Sequence, residues 1–152
     1  MKKLLSLLVI FILVASVKAG NNDKAVLENK SKLGFEETVE YITGKAKEKG
    51  WMVPIVHDLK KSVGKAGYDV NPVKVIEICN PHFASKILEN DGSRMITPMM
   101  PLRISVYELE NGEVVIARFN PAMVSKMFGD ISGDTLLKAC ATSEEIVSDI
   151  IR

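Results

Sequence analysis

The chain has 152 residues, 20 basic and 19 acidic, with 26% charged and 47% hydrophobic side chains, which is the size and balance of one globular domain. Its charges are interspersed, so there is no clustered basic face of the kind nucleic-acid binding requires, and nucleic acid is not an expected partner. It has two cysteines and two histidines.

The N-terminus, "MKKLLSLLVIFILVASVKAG", has the three parts of a secretory signal: Lys2 and Lys3, an apolar run from Leu4 to Val17, and the small-x-small pattern Val17-Lys18-Ala19. The apolar run is 14 residues long, short of the roughly 20 that span a bilayer as a helix. The expectation is a leader over residues 1–19, cleaved near Ala19 and Gly20. The mature protein is then exported, periplasmic or otherwise extracytoplasmic, without stable membrane insertion. It would carry 17 basic against 19 acidic residues.

Residues 20–30 are polar and aperiodic and read as a flexible lead-in, with a short strand ending near Phe35. "EETVEYITGKAKEKG" predicts a helix with Val39, Ile42 and Ala46 inward, Glu36 and Glu37 at its positive end, and Gly50 as its stop. "WMVPIVH" predicts a strand that Pro54 confines to an edge or a bulge. "DLKKSVGKAG" predicts a short helix begun by Asp58. "VKVIEIC" is apolar on both phases and predicts a strand buried on both faces.

"NPHFASKILENDG" then starts a helix: Asn80 caps it, Pro81 suits its first turn, and Phe83, Ala84, Ile87 and Leu88 face inward. "LRISVYELENGEVVIARF" is a hairpin around Asn111-Gly112. "NPAMVSKMFG" begins another helix with Asn120 and Pro121. Two helical pieces follow, "DTLLKACA" and "TSEEIVSDIIR", the second with Thr142 and Glu145 as a capping box and Ile146, Val147, Ile150 and Ile151 as its apolar face. This order predicts an α+β fold: a single-domain two-layer sandwich, with a mainly antiparallel sheet and helices packed on one face.

The two Asn-Pro junctions, "CNPHFASKIL" and "FNPAMVSKMF", share Asn-Pro-x-x-x-Ser-Lys. Where the second has Phe119 and Ala122, the first has Cys79 and His82, so a thiol and an imidazole are surplus to the architecture. A helix N-terminus favours thiolate and neutral imidazole, the forms that bind metals or attack electrophiles. A cysteine ending a buried strand also serves as a small apolar filler. His57, the other histidine, approaches Cys79 if their strands pair as neighbours in a suitable register. Cys79, His82 and His57 are thus candidate metal or ligand residues, but too few for a structural zinc site, and Cys79 is the candidate nucleophile.

Met95, Met99, Met100, Met123 and Met127 form a methionine group. Thioethers bind soft metal ions and serve as axial haem ligands, so Met99 and Met100 join the candidate ligand set. Core filler or an oligomer contact is the weightier reading of these methionines. Export permits a disulfide between Cys79 and Cys140, but Cys140 lies in an Ala-rich helical stretch. Phosphate loops, nucleophile elbows and haem-attachment motifs are absent from the sequence.

"FEETVEYITGKAKEKGWMV", "VIEICNPHFASKILENDG" and "MMPLRISVYELENGEVVIARFNPAMVSKMFG" together resemble, in order, the bacterial and archaeal family called domain of unknown function 302. The resemblance covers residues 31–129, leaving 130–152 as a helical extension packed on the domain. It implies a compact α/β domain that associates as a homodimer, and brings no established activity. The family's Cys-Asn-Pro falls on Cys79, Asn80 and Pro81. Its Met-Pro-Cys-Arg falls on Met100, Pro101, Leu102 and Arg103, so this chain has leucine at the second cysteine. The junction comparison, the histidines and the methionine group give the expectation of a carrier of a soft ligand near Cys79: a metal ion, haem or a reduced sulfur species. An interaction dimer without ligand, or a cysteine-dependent enzyme, are the alternatives.

Overall fold

A computed structural model describes residues 24–121, 123, 127, 128 and 131–152. The expected leader, residues 1–19, lies outside the described residues, as does much of the second Asn-Pro helix, of which Pro121, Met123 and Met127 are helical. Strands β1 (Val26–Lys30), β2 (Val56–Asp58), β3 (Val73–Ile78), β4 (Leu102–Glu108) and β5 (Val114–Phe119) form one antiparallel sheet in the order β1-β5-β4-β3-β2. The helices are α1 (Phe35–Glu48), α2 (Leu59–Gly64), α3 (Pro81–Leu88) and α4 (Ile131–Val147), and a 3₁₀ segment over Asp91–Met99 leads from α3 to β4. The fold is α+β in a single domain, as the alternation of patterns predicts.

Strand alternation decides which side of the sheet is covered. Ile76 and Ile78 of β3, Ile104 and Val106 of β4, and Val114 and Ile116 of β5 share one phase across the register. They meet Val39, Ile42 and Ala46 of α1 and Ala139, Ile146 and Val147 of α4 in the main core. Gly50 ends α1 at φ 76, and Gly112 turns the β4–β5 hairpin at φ 79, both in the left-handed region that favours glycine.

Several expectations change. Residues 26–30 are not lead-in but β1, because they complete the exposed edge of β5 from Val26–Phe119 to Lys30–Val115. β3 is fully buried on one face only: Ile76 and Ile78 are sealed, whereas Val73 and Val75 are half-buried. Leu88 is 46% exposed, leaving Ile87 as the buried residue of α3. The two C-terminal pieces are one helix, α4. Leu136, Ala139, Cys140, Ser143, Ile146 and Val147 are all buried, and their three- and four-residue spacing makes one stripe through the supposed break. Thr142 is therefore inside the helix, its hydroxyl donating to the Lys138 carbonyl at 2.8 Å, and no capping box starts there. This helix contributes to the main core rather than lying on a finished domain.

Candidate functional site

The site is built where β3 ends. Val56 pairs with Ile76, yet Met52 bridges Cys79, so the Met52–Val56 stretch has one residue more than the strand opposite. That extra residue is a bulge, and it contains Pro54, which has no N–H for a regular ladder. The bulge brings Met52 onto Cys79, with backbone hydrogen bonds of 2.8 and 2.9 Å in the two directions. Trp51, fixed by its N–H to the Ala46 carbonyl, arrives beside them.

On the other side of Cys79, Asn80 caps α3. Its side chain accepts the His82 N–H at 3.0 Å, its carbonyl accepts the Ala84 N–H, and Pro81 occupies the first helical position. Cap and proline thus act as the sequence predicts, and Cys79 beside them lines a small cavity. Trp51, Cys79, Phe83, Met100, Leu102 and Leu136 are among its lining residues, and its volume is about 30 Å³. Trp51 and Phe83 pack with ring centres 6.1 Å apart.

Cys79 is half-buried and Cys140 fully buried, and both thiols are free. Burial pushes the Cys79 thiol up from its ordinary value, opposite to the thiolate-favouring effect expected at a helix start. Burial, with help from the Glu144 carboxylate, pushes the Cys140 thiol up to about 12. Cys140 sits in a second core cluster with Ile87, Ile96 and Leu136, against which Met99, Met100 and Leu102 pack. Leu102 also lines a smaller cavity that Cys140 lines, so it stands between the surroundings of the two sulfurs.

The predicted ligand set does not assemble. β2 and β3 are neighbours, but His57 stands opposite Val75. Four strand positions separate Val75 from Cys79, roughly 13 Å at the usual rise. His57 Nε2 instead contacts Glu77 Oε1 at 3.2 Å, and Arg103 donates to the same oxygen from Nε and Nη2 at 3.3 Å. These partners satisfy a carboxylate whose side chain is only 13% exposed. His82 is exposed, with its ring edge on Phe83 at 5.7 Å. Among the described residues no group of three or more His, Cys, Asp or Glu side chains could hold a metal ion. Of the two candidate methionines, Met100 lines the cavity, while Met99 packs in the second cluster.

Sequence reasoning missed Trp51. It is the chain's one tryptophan, is 3% exposed, and lines the cavity. Among the described residues, its Nε1–H is the buried side-chain polar group with no hydrogen-bond partner. A buried donor of that kind is unusual in a folded protein and costs free energy. Nothing in local periodicity could have signalled it, because the pairing that sets Trp51 beside Cys79 depends on the bulge.

No curated protein matches the chain. Among solved structures, it is similar to one described as an uncharacterized conserved protein DUF302 from Bacillus stearothermophilus, with TM-score 0.66 and 24% identity over 82% of this chain and 94% of that one. That likeness agrees with the fold. The family model "Domain of unknown function DUF302" matches residues 27–151, from β1 through the end of the C-terminal helix, and the chain belongs to this family.

Proposed function

We propose that the protein is a carrier that holds one small soft ligand at Cys79, either a soft metal ion or a reduced sulfur species. The observation that carries this reading is the cavity of about 30 Å³ that Cys79 shares with the Met100 thioether and apolar walls. Space of that size accepts a group comparable to a water molecule. It does not enclose haem, which drops out of the ligand list. A nucleophilic enzyme is less well supported, because burial raises the thiol and His57 is engaged by Glu77 at a distant register.

Export through the leader at residues 1–19, to a periplasmic or other extracytoplasmic location, belongs to the same proposal and rests on its three-part pattern. Homodimer formation belongs to it as well. Val26 and Phe119, which pair across β1 and β5, are 42% and 36% exposed on the sheet face away from the main core, and suit a contact between copies.

The raised thiol gives a test. Alkylation of Cys79 by iodoacetamide should be slow at neutral pH and accelerate only above the range where ordinary thiols ionise, while Cys140 stays unreactive in the folded protein. Equimolar copper(I), offered with an excess of a small monothiol, should protect Cys79. Inorganic polysulfide should also change its reactivity. The reading fails if Cys79 alkylates like a free thiol and neither probe alters its rate.

A further inference from the structure

We propose that the ligand at Cys79 is a single sulfane sulfur, carried as a persulfide whose outer sulfur accepts the Trp51 Nε1–H. This rests on the soft-ligand reading and names the ligand. Three observations support it. The first is fit: the cavity of about 30 Å³ has room for one further atom on Sγ, and its walls, mostly hydrocarbon and thioether with Asn80 among them, suit a soft atom. Among the described residues no group of three or more His, Cys, Asp or Glu side chains gathers there for a metal ion that needs several such donors, which leaves Cys79 and Met100 as the sulfur donors at the cavity.

The second is the unpartnered indole. Trp51 is 97% buried, since only 3% of it is exposed, and its N–H has no acceptor among the described residues. Sulfur is a weak acceptor, yet for a buried donor beside hydrocarbon a weak acceptor is a gain. The third is the absence of a nearby thiol to undo the persulfide. A vicinal cysteine would attack Sγ, close a disulfide and release sulfide. Leu102 stands on the wall of this cavity and also lines the smaller one that Cys140 lines, so a side chain without a thiol separates the two sulfurs' surroundings. Cys140 is sealed in the second cluster with its thiol pushed up to about 12.

Loading needs a persulfide donor, R–S–SH, of low molecular weight. Cys79 Sγ attacks the donor's outer sulfur as thiolate, the form that burial disfavours, so loading is slow at neutral pH and faster at higher pH. The Sγ–S bond forms as the donor's S–S bond breaks, and the leaving thiolate RS⁻ takes up the proton that Sγ gives away. The products are the Cys79 persulfide and RSH, with no net oxidation or reduction.

Accurate mass measurement after exposure to glutathione persulfide tests this. The native protein should gain one sulfur atom, and Cys79→Ser none. Trp51→Phe keeps an aromatic side chain but removes the N–H and part of the indole, so it should gain the sulfur but lose it to a small thiol several-fold faster, up to about tenfold for one hydrogen bond. Leu102→Cys provides a check independent of Trp51: the introduced thiol should discharge the sulfur as hydrogen sulfide and form a disulfide. Gain of oxygen instead of sulfur, or equal retention in Trp51→Phe and native protein, overturns the proposal. So does stable retention in Leu102→Cys. No sulfur gain, with copper(I) still protecting Cys79, removes the persulfide and leaves the soft-ligand reading standing. Failure of both probes removes both.

Discussion

Glu144→Ala is expected to lower the unfolding free energy by about 3–5 kcal/mol, the usual cost of leaving one partner of a buried ion pair alone. Arg118 lies on the inward phase of β5, beside Ile104 of β4 in the register, and its side chain is 5% exposed. Its Nε and Nη2 donate to the two Glu144 oxygens at 2.7 and 2.6 Å, and its Nη1 donates to Asn29 Oδ1 at 2.9 Å. The guanidinium therefore ties β5 to α4 by a two-toothed contact and to β1 by a third hydrogen bond. Removing Glu144 leaves a guanidinium that is 5% exposed with the Asn29 side chain as its remaining acceptor among the described residues. Removing the arginine is less severe, because Glu144 is 30% exposed and can be hydrated in place. Arg118→Met should cost clearly less than Glu144→Ala in urea unfolding. Equal costs, or less than about 1 kcal/mol for Glu144→Ala, would show that the pair behaves as an exposed one.

Ile116→Ala should cost about 2–5 kcal/mol, the range for truncating a fully buried aliphatic side chain. Ile116 is 0% exposed in β5, with Asn29 on one side and Val106 on the other, beneath the α1 and α4 residues of the main core. Its removal leaves a void between sheet and helices that neither layer can close without moving. Val26→Ala, on the opposite face and 42% exposed, should stay within about 0.5 kcal/mol for the monomer. Thermal or urea unfolding of both variants checks which face of the sheet is covered. A concentration-dependent loss of stability in Val26→Ala would place that residue in a contact between copies instead.

Local signals carried much of the fold. The period of Val39, Ile42 and Ala46, the Asn80-Pro81 start and the Asn111-Gly112 turn each depend on neighbours in sequence, and each is realised. The breaks came where distant pairing overrides local pattern. β1 looks like a polar lead-in because only its pairing with β5 makes it a strand. Thr142 looks like a cap until the stripe from Leu136 to Val147 is seen to continue through it.

The candidate site divides in the same way. Cys79 was legible as the residue by which one Asn-Pro junction differs from the other, and Met100 as one of a group of thioethers. His57 was not, because its place depends on register, and the register sets it beside Glu77. Trp51 reaches the cavity through the bulge around Pro54, a long-range feature that a proline suggests without fixing.

The Cys79 cavity as a ligand site is tested most directly by the emission of Trp51, which is the chain's one tryptophan and lines that cavity. Titration with copper(I), and separately with inorganic polysulfide, should change Trp51 emission with a one-to-one endpoint for at least one probe. The change should vanish in Cys79→Ala. No response from the native protein to either probe, or an equal response without the thiol, would contradict ligand binding at Cys79.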